Sequence, residues 1–262
     1  MGILNVTPDS FFSGSRAMST ADIERRVETM LDEGADIIDI GACSTRPGAE
    51  VVPEDEETDR LSRGMEIVRR LASDIPVSVD TFRASVARRA VEEMGCDIVN
   101  DISGGTLDDR MPATVAGLHC PYILMHMRGT PATMQLLTDY GDDVTATVIS
   151  ELQRHVRLFE QAGVADIIID PGFGFAKTIE QNYALMAGLS HFAIFGRPVL
   201  VGISRKSMIT KLLGIPASDA LEATTALNAF ALDRGADILR VHDVAAARQA
   251  VDIHYAMLSA SR

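Results

Sequence analysis

Gly34-Ala-Asp-Ile-Ile38 recurs along the chain as Gly95-Cys-Asp-Ile-Val99, Gly163-Val-Ala-Asp-Ile-Ile168 and Gly235-Ala-Asp-Ile-Leu239. In each unit a glycine suited to a helix C-cap is followed by an acid and a short apolar run, so a helix stops and a buried strand starts. Between these units lie three apolar runs opened by proline: Pro76-Val-Ser-Val-Asp80, Pro121-Tyr-Ile-Leu-Met-His126 and Pro198-Val-Leu-Val-Gly-Ile-Ser204. Proline is tolerated as the first residue of a strand. Together with Ile3-Leu-Asn5 this gives eight short strands, near residues 2, 36, 76, 97, 121, 166, 198 and 237.

Helical stretches separate the strands. The first is the clearest: Ser19 with Asp22 forms a capping box, Ile23, Val27, Met30 and Leu31 share one face, and Gly34 ends it. Others are predicted near 54–73, 83–94, 107–118, 140–162, 179–188, 217–234 and 244–260. Eight strands alternating with helices predict an α/β TIM (β/α)8 barrel of parallel strands with its active site at the C-terminal face. The competing fold is a doubly wound open sheet, which the eightfold alternation disfavours. One domain is expected over residues 1–262, since barrels of this kind run to about 250 residues.

Composition narrows the function. Hydrophobic residues make up 47% and charged residues 23%, so neither disorder nor a coiled coil is implied. A net charge of −13 disfavours nucleic-acid binding, so any anionic ligand must meet local arginine or lysine. No apolar run has the roughly 18 residues of a membrane span and no secretory leader is evident, which predicts a cytoplasmic protein without membrane association. Cys43, Cys96 and Cys120 are too few and too scattered for a disulfide framework or structural zinc and are expected as buried thiols.

In a barrel, polar residues at the starts of strands support the bottom, and those at the ends face the site. Asp36, Asp97, Asp166 and Asp237 open their strands and are expected to satisfy amides there. The ends carry Asn5, Asp39, Asp80, Asn100 with Asp101, His126, Asp170, Ser204 with Lys206, and Arg240 with His242. Lys206, Arg240 and His242 form a group of potential cations after strands 7 and 8, where barrels often bind phosphate. Asp80, Asn100 and Asp170 offer acceptors to the N–H edge of a polar heterocycle, while metal coordination is the weaker reading of that group. The loops Thr7–Gly14 and Ser44–Gly48, carrying Phe11, Phe12 and Arg46, have the composition of segments that close over a ligand.

Other signals read as structure. Gly172-Phe-Gly-Phe-Ala-Lys-Thr178 lacks the spacing of a phosphate-binding P-loop and reads as a glycine-rich turn. Glu54-Asp-Glu-Glu57 is expected to open a helix, where acids favour the positive dipole end. Met125 and Met127 read as core fillers, and His119, His155, His191 and His254 as ordinary histidines.

Taken in order, eight segments resemble the dihydropteroate synthase family: Gly2-Ile-Leu-Asn-Val-Thr-Pro-Asp-Ser-Phe11, Ser44-Thr-Arg-Pro-Gly-Ala49, Ser78-Val-Asp-Thr81, Val99-Asn-Asp-Ile-Ser103, Leu124-Met-His-Met127, Asp170-Pro-Gly-Phe-Gly-Phe175, Ser204-Arg-Lys-Ser207 and Arg240-Val-His-Asp243. The resemblance spans the chain. It implies a transferase that joins 4-aminobenzoate to a dihydropterin carried as its methyl pyrophosphate, with Mg²⁺ as cofactor. It also implies a homodimer that is a sulfonamide target. By the same resemblance Asp80, Asn100, Met125, Asp170, Phe175, Lys206 and Arg240 hold the pterin. Asn5, Arg240 and His242 hold the pyrophosphate, Asn5 through the metal. Phe11, Arg46, Pro47 and Ser207 form the aminobenzoate site. Lys206, Arg240, His242 and Asp170 are the expected catalytic residues, and no strong general base is needed because the attacking amine is uncharged near neutral pH.

This chain departs from the family's pattern in three places. It opens directly at strand 1, where relatives usually carry further residues that help close the barrel bottom. Ser13 stands where the first loop usually has aspartate, and Cys43 where glutamate usually precedes Ser-Thr-Arg-Pro. Two other readings share the barrel: a pterin-binding domain of a corrinoid methyltransferase system, and an inactive barrel kept as a binding partner. The intact Ser44-Thr-Arg-Pro-Gly48 beside Ser10-Phe11, and the full set of matched strand ends, favour the synthase over both.

Overall fold

A computed structural model describes residues 1–7, 19–43 and 52–260. Among them, the strands are β1 (Gly2–Asn5), β2 (Ile38–Gly41), β3 (Val77–Asp80), β4 (Ile98–Asp101), β5 (Tyr122–Met125), β6 (Ile167–Asp170), β7 (Leu200–Val201) and β8 (Ile238–Leu239). β1 to β6 form one parallel sheet in sequence order, and β7 pairs with β8. Parallel bridges Ile169↔Val199 and Gly2↔Val241 join the two pieces. The Ile3 amide donates to the Val241 carbonyl at 2.9 Å, so the ring closes and the open-sheet alternative is excluded.

The surrounding helices are α1 (Thr20–Asp32), α2 (Glu54–Leu71), α3 (Ala84–Met94), α4 (Met111–Leu118), α5 (Val144–Ala162), α6 (Ile179–Ala187), α7 (Ser207–Leu213), α8 (Leu221–Asp233) and α9 (Val244–Ala260). α1 starts at the expected capping box, where Ser19 Oγ accepts from the Asp22 amide at 3.2 Å, and the helix buries Ile23, Val27 and Met30. α3 and α5 end at Gly95 and Gly163 in the left-handed conformation (φ 73° and 102°). The stretch expected to be helical over 217–234 divides into a 3₁₀ turn, Ala217–Asp219, and α8. α7 has no counterpart among the predicted helices, because seven residues before Gly214 are too few to show a period.

Side chains alternate across each strand, and the alternation decides what faces the site. Ile98, Ile123, Ile168 and Leu200 point into the barrel and pack with Met1, Ile37 and Ile238. Their neighbours Val99, Tyr122, Leu124, Ile167 and Ile169 join the core beneath the helices. Each buried side chain of this size contributes roughly 1.5–3 kcal/mol, so the lower interior is sealed with hydrocarbon. One step of two residues further along, the same inward face carries Asp39, Asn100, Met125, Asp170, Gly202 and Arg240.

The strand-opening acids sit at the bottom as expected. Asp97 accepts from the Val77 amide at 2.7 Å and Asp237 from the Val199 amide at 2.8 Å. Asp36 pairs instead with Arg248 at 2.6 Å, and Asp166 receives the Tyr122 amide on its backbone carbonyl.

Candidate active site

The centre of the mouth is a charge cluster drawn from four strands. Arg240, from the end of β8, donates from Nε to Asp39 at 2.7 Å and from Nη2 to Asp80 at 2.8 Å. Asn100 Nδ2 lies 3.2 Å from the other oxygen of Asp39. Asp39 is fully buried and was absent from the predicted ligand contacts, yet it anchors both the arginine and the asparagine. Burial works against the charge of Arg240, but the two carboxylates outweigh it and raise its pKa. Two carboxylates share one guanidinium here, and burial pushes the Asp80 carboxyl up to about 7 against the pull of Arg240. The Nη1 group of Arg240 is engaged by neither acid.

Two close approaches show what converges. A Cβ built on Gly202 would stand 3.9 Å from Arg240 Cδ and 4.0 Å from Lys206 Nζ, so the two cations meet above that glycine. A Cβ on Gly41 would stand 3.3 Å from Asn5 Oδ1 and 3.9 Å from Asp80 Oδ2, which brings strands 1 and 3 together in the same way. Lys206 Nζ donates to the Phe173 carbonyl at 2.6 Å and lies 4.7 Å from the centroid of the Phe175 ring. Burial lowers the lysine pKa to about 8, with Asp170 opposing. Asp170 is itself raised by burial while Lys206 and the Gly172 amide pull it down.

Met125 and the half-buried Phe175 belong to one apolar cluster with Ile102, Met127, Met134 and Ala176. It forms a wall beside Asp170. The Ser204–Ser207 turn bears Lys206 and holds Arg205 at φ 55°, a left-handed backbone that costs of order 1–3 kcal/mol outside glycine. Arg205 secures it through two bonds to Asp243, at 2.8 and 2.9 Å. Ser207 is exposed at the first position of α7, directly after Lys206.

His242 corrects one expectation. Burial and then Arg240 push its pKa down to about 4, so it is neutral rather than a third cation. Ser204 Oγ accepts from the His242 amide at 3.1 Å and lies 3.0 Å from Nδ1, which it can supply with its proton. That arrangement puts the ring proton on Nε2, a neutral donor. In an NMR titration, the free His242 ring is expected to stay neutral down to about pH 4, and pyrophosphate should raise its pKa because an anion favours the imidazolium. An unliganded ring titrating near 6.5 would contradict this account.

Two strand-end residues turn away. Asp101 is one residue out of phase with Asn100 and binds the Ser103 and Gly105 amides and the Tyr122 hydroxyl beneath the helices. His126 is out of phase with Met125 and meets Glu151 of α5 at 2.8 Å. Glu57 belongs to the helix-opening acids as expected but is also fully buried, accepting from Thr81 at 2.7 Å and from Arg83. Arg83 in turn binds the Val52 carbonyl at 2.7 Å. Cys43, half-buried, is pushed up to about 12 by burial and by Glu57, so it is a thiol, as are the buried Cys96 and Cys120. Phe11, Phe12, Ser13, Arg46 and Pro47 lie outside the described residues.

A mouth of this kind, with acid and amide acceptors on the inward strand ends and the cations Arg240 and Lys206 meeting above Gly202, is the arrangement of a barrel enzyme that takes a polar heterocycle bearing an anionic group. Residues 1–242 match the family described as pterin binding enzyme. The dihydropteroate synthase of Synechocystis sp. is 47% identical over 256 residues, covering 95% of this chain and 86% of the relative. A Yersinia pestis dihydropteroate synthase in complex with a sulfonamide drug superposes with a TM-score of 0.92 at 39% identity, covering 98% of this chain and 93% of the other. The Xanthomonas albilineans dihydropteroate synthase with 4-aminobenzoic acid gives 0.89 at 37% identity, covering 98% and 92%. The chain belongs to the dihydropteroate synthase family.

Proposed function

We propose that the enzyme condenses 4-aminobenzoate with 6-hydroxymethyl-7,8-dihydropterin pyrophosphate to give 7,8-dihydropteroate and pyrophosphate, a step of folate biosynthesis. The observation that carries this reading is the juxtaposition of Asp80, Asn100 and Asp170 with Lys206 and Arg240 on the inward face of one barrel mouth. The carboxylates and the amide accept from the ring's N–H edge, and Met125 and Phe175 cover its face. Arg240, through Nη1, and His242, through Nε2, hold the pyrophosphate. The half-buried Lys206 faces the ring from the same side.

In the reaction the bond between the pterin methylene and the pyrophosphate oxygen breaks, and the electron pair leaves with the pyrophosphate. The amine nitrogen of 4-aminobenzoate forms the new bond to the methylene and releases a proton to solvent. Positive charge develops on the methylene beside the buried acids while negative charge gathers beside Arg240. Positioning and charge stabilisation therefore supply most of the rate. Ser207 with Phe11, Arg46 and Pro47 would receive the aminobenzoate, and a sulfonamide would compete for the same place.

Magnesium fits the donor chemistry. Among the described residues no three His, Cys, Asp or Glu side chains gather into a metal cage. Mg²⁺ is commonly held by one or two protein oxygens together with waters and substrate phosphate, and Asn5 Oδ1 at the edge of the cluster suits that part. The ion would neutralise charge on the departing pyrophosphate.

A homodimer is supported by apolar side chains left exposed on α8 and α9, among them Phe230, Ile253, Tyr255 and Met257. Free cysteines suit a cytoplasmic enzyme, and no described helix is long and apolar enough to cross a membrane. The test is direct. Purified protein with both substrates and Mg²⁺ should release pyrophosphate, EDTA should abolish the release, and Mg²⁺ should restore it. Sedimentation should give twice the 28.2 kDa chain mass. Absence of turnover with Mg²⁺ present would refute the assignment.

A further inference from the structure

In the sequence Lys177 belongs to a glycine-rich turn without a motif, and the fold gives it a more particular place. The side chain is 4% exposed, and its ammonium has three donors and three acceptors: His126 Nδ1, the Gly172 carbonyl and the Phe175 carbonyl, each at 3.0 Å. Burying an ammonium costs several kcal/mol unless it is fully bonded. A turn that needed only filling could take an apolar residue there.

Two of the three acceptors belong to the turn that follows Asp170. The Gly172 amide donates back to Asp170 Oδ1 at 2.8 Å, so the same residue is tied to the lysine through its carbonyl and to the acid through its nitrogen. Gly172 has φ 72°, and a Cβ there would meet the His126 carbonyl at 1.9 Å, so the turn is pressed onto the end of β5. The third acceptor extends the tie outward. Because Lys177 donates to Nδ1, His126 carries its proton on Nε2 and donates it to Glu151, which also receives Arg128 at 2.5 Å.

We propose that Lys177 is a positioning residue of the pterin subsite, fixing the turn that follows Asp170 and carries Phe175, and placing a positive charge behind Asp170. This rests on the reading of Asp170 as the acceptor for the pterin ring. The groups facing the lysine are Asp170 from β6, Lys206 after β7, His126 at the end of β5, Arg128 in the loop beyond it, Tyr140 before α5 and Glu151 within it. Burial holds Lys177 down to about 7, with Asp170 opposing. Burial and then Lys177 keep His126 neutral, at about 4. Burial favours the protonated form of Glu151, but its bonds from His126 and Arg128 prevail and hold it at about 2. The lysine charge in turn pulls Asp170 downward. Removing that charge raises Asp170, and a protonated Asp170 cannot accept from the ring on that oxygen. The acid limit of pterin binding must therefore move to higher pH.

Lys177→Met and Lys177→Gln test this by calorimetry with the dihydropterin pyrophosphate across pH, alongside the KM for 4-aminobenzoate. Both variants should raise the pterin Kd at least tenfold, leave the aminobenzoate KM within twofold, and move the acid limit upward by about one pH unit. Glutamine, which keeps a donor, should recover thermal stability but not the acid limit. A pterin Kd within twofold of wild type overturns the proposal, as does equal weakening of both substrates with an unmoved acid limit. If neither variant folds, ¹³C-lysine NMR of the wild-type enzyme decides: the Lys177 resonance should respond to the pterin and not to aminobenzoate, and silence toward the pterin overturns the proposal. A wild-type enzyme without turnover removes the reading of the site and this inference with it. An active wild type with normal pterin binding in the variants removes the inference alone.

Discussion

Arg240→Met is expected to be the most damaging single replacement in the barrel, lowering both stability and turnover. Asp39 has no exposed side-chain surface and Asp80 only 13%, and Arg240 is the cation that both contact. Removing one partner of a buried ion pair leaves an uncompensated charge and costs about 3–5 kcal/mol. For a chain of this size that corresponds to a fall of roughly 10 °C in Tm. With the role proposed for Arg240, the same change deprives the leaving pyrophosphate of a cation, so kcat/KM should drop at least about a thousandfold, roughly 4 kcal/mol. Arg240→Lys separates the two effects. It keeps the charge but cannot span Asp39 and Asp80 with a planar fork, so it should regain more stability than activity. Thermal melts and steady-state rates on both variants check this. A methionine variant that melts with the wild type would refute the role given to the cluster.

The second large effect is expected at Asp170. Asp170→Asn preserves size but, in the proposed pose, turns an amide N–H toward the pterin edge, where the ring also donates. One carboxylate oxygen already takes the Gly172 amide at 2.8 Å, so the substituted group has little freedom to choose which end it presents. A hydrogen bond to a charged acceptor is worth about 1.5–3 kcal/mol, and donor facing donor loses that and more. Turnover should fall at least about a hundredfold, roughly 2.7 kcal/mol, with the loss falling on the pterin and little change in the aminobenzoate KM. Stability should change little, since Asp170 pays its own burial cost in the free enzyme. A variant with near wild-type rates would remove Asp170 from the subsite.

Much of this fold could be read from the chain because its punctuation is local. A glycine that caps a helix, an acid that takes an amide and a proline that starts a strand each act within a few residues, and Gly95 with Asp97 shows two of them side by side. The long-range pairings could not be read that way. Arg240 and Asp39 are 201 positions apart, and nothing near either residue announces the other. By position alone Asp101 and His126 belong with the strand ends. Counting in twos from Ile98 and Ile123 would have turned both toward the helices. Lys177 is hidden differently: its turn lacks the spacing of a phosphate loop, and an ammonium bonded only to carbonyls and an imidazole leaves no motif. Glu57 sat in an acidic helix start whose first three members lie at the surface, and only its contacts with Thr81 and Arg83 set it apart.

The inward face of the strands serves two masters, and this bears on inhibition. Asp39, Asn100 and Arg240 hold one another as part of the barrel's interior before any substrate arrives. A compound that grips this floor engages side chains whose replacement weakens the protein itself, so few escape mutations would leave a viable enzyme. A compound that leans instead on an exposed position such as Ser207 meets no such constraint, and resistance would arise there first.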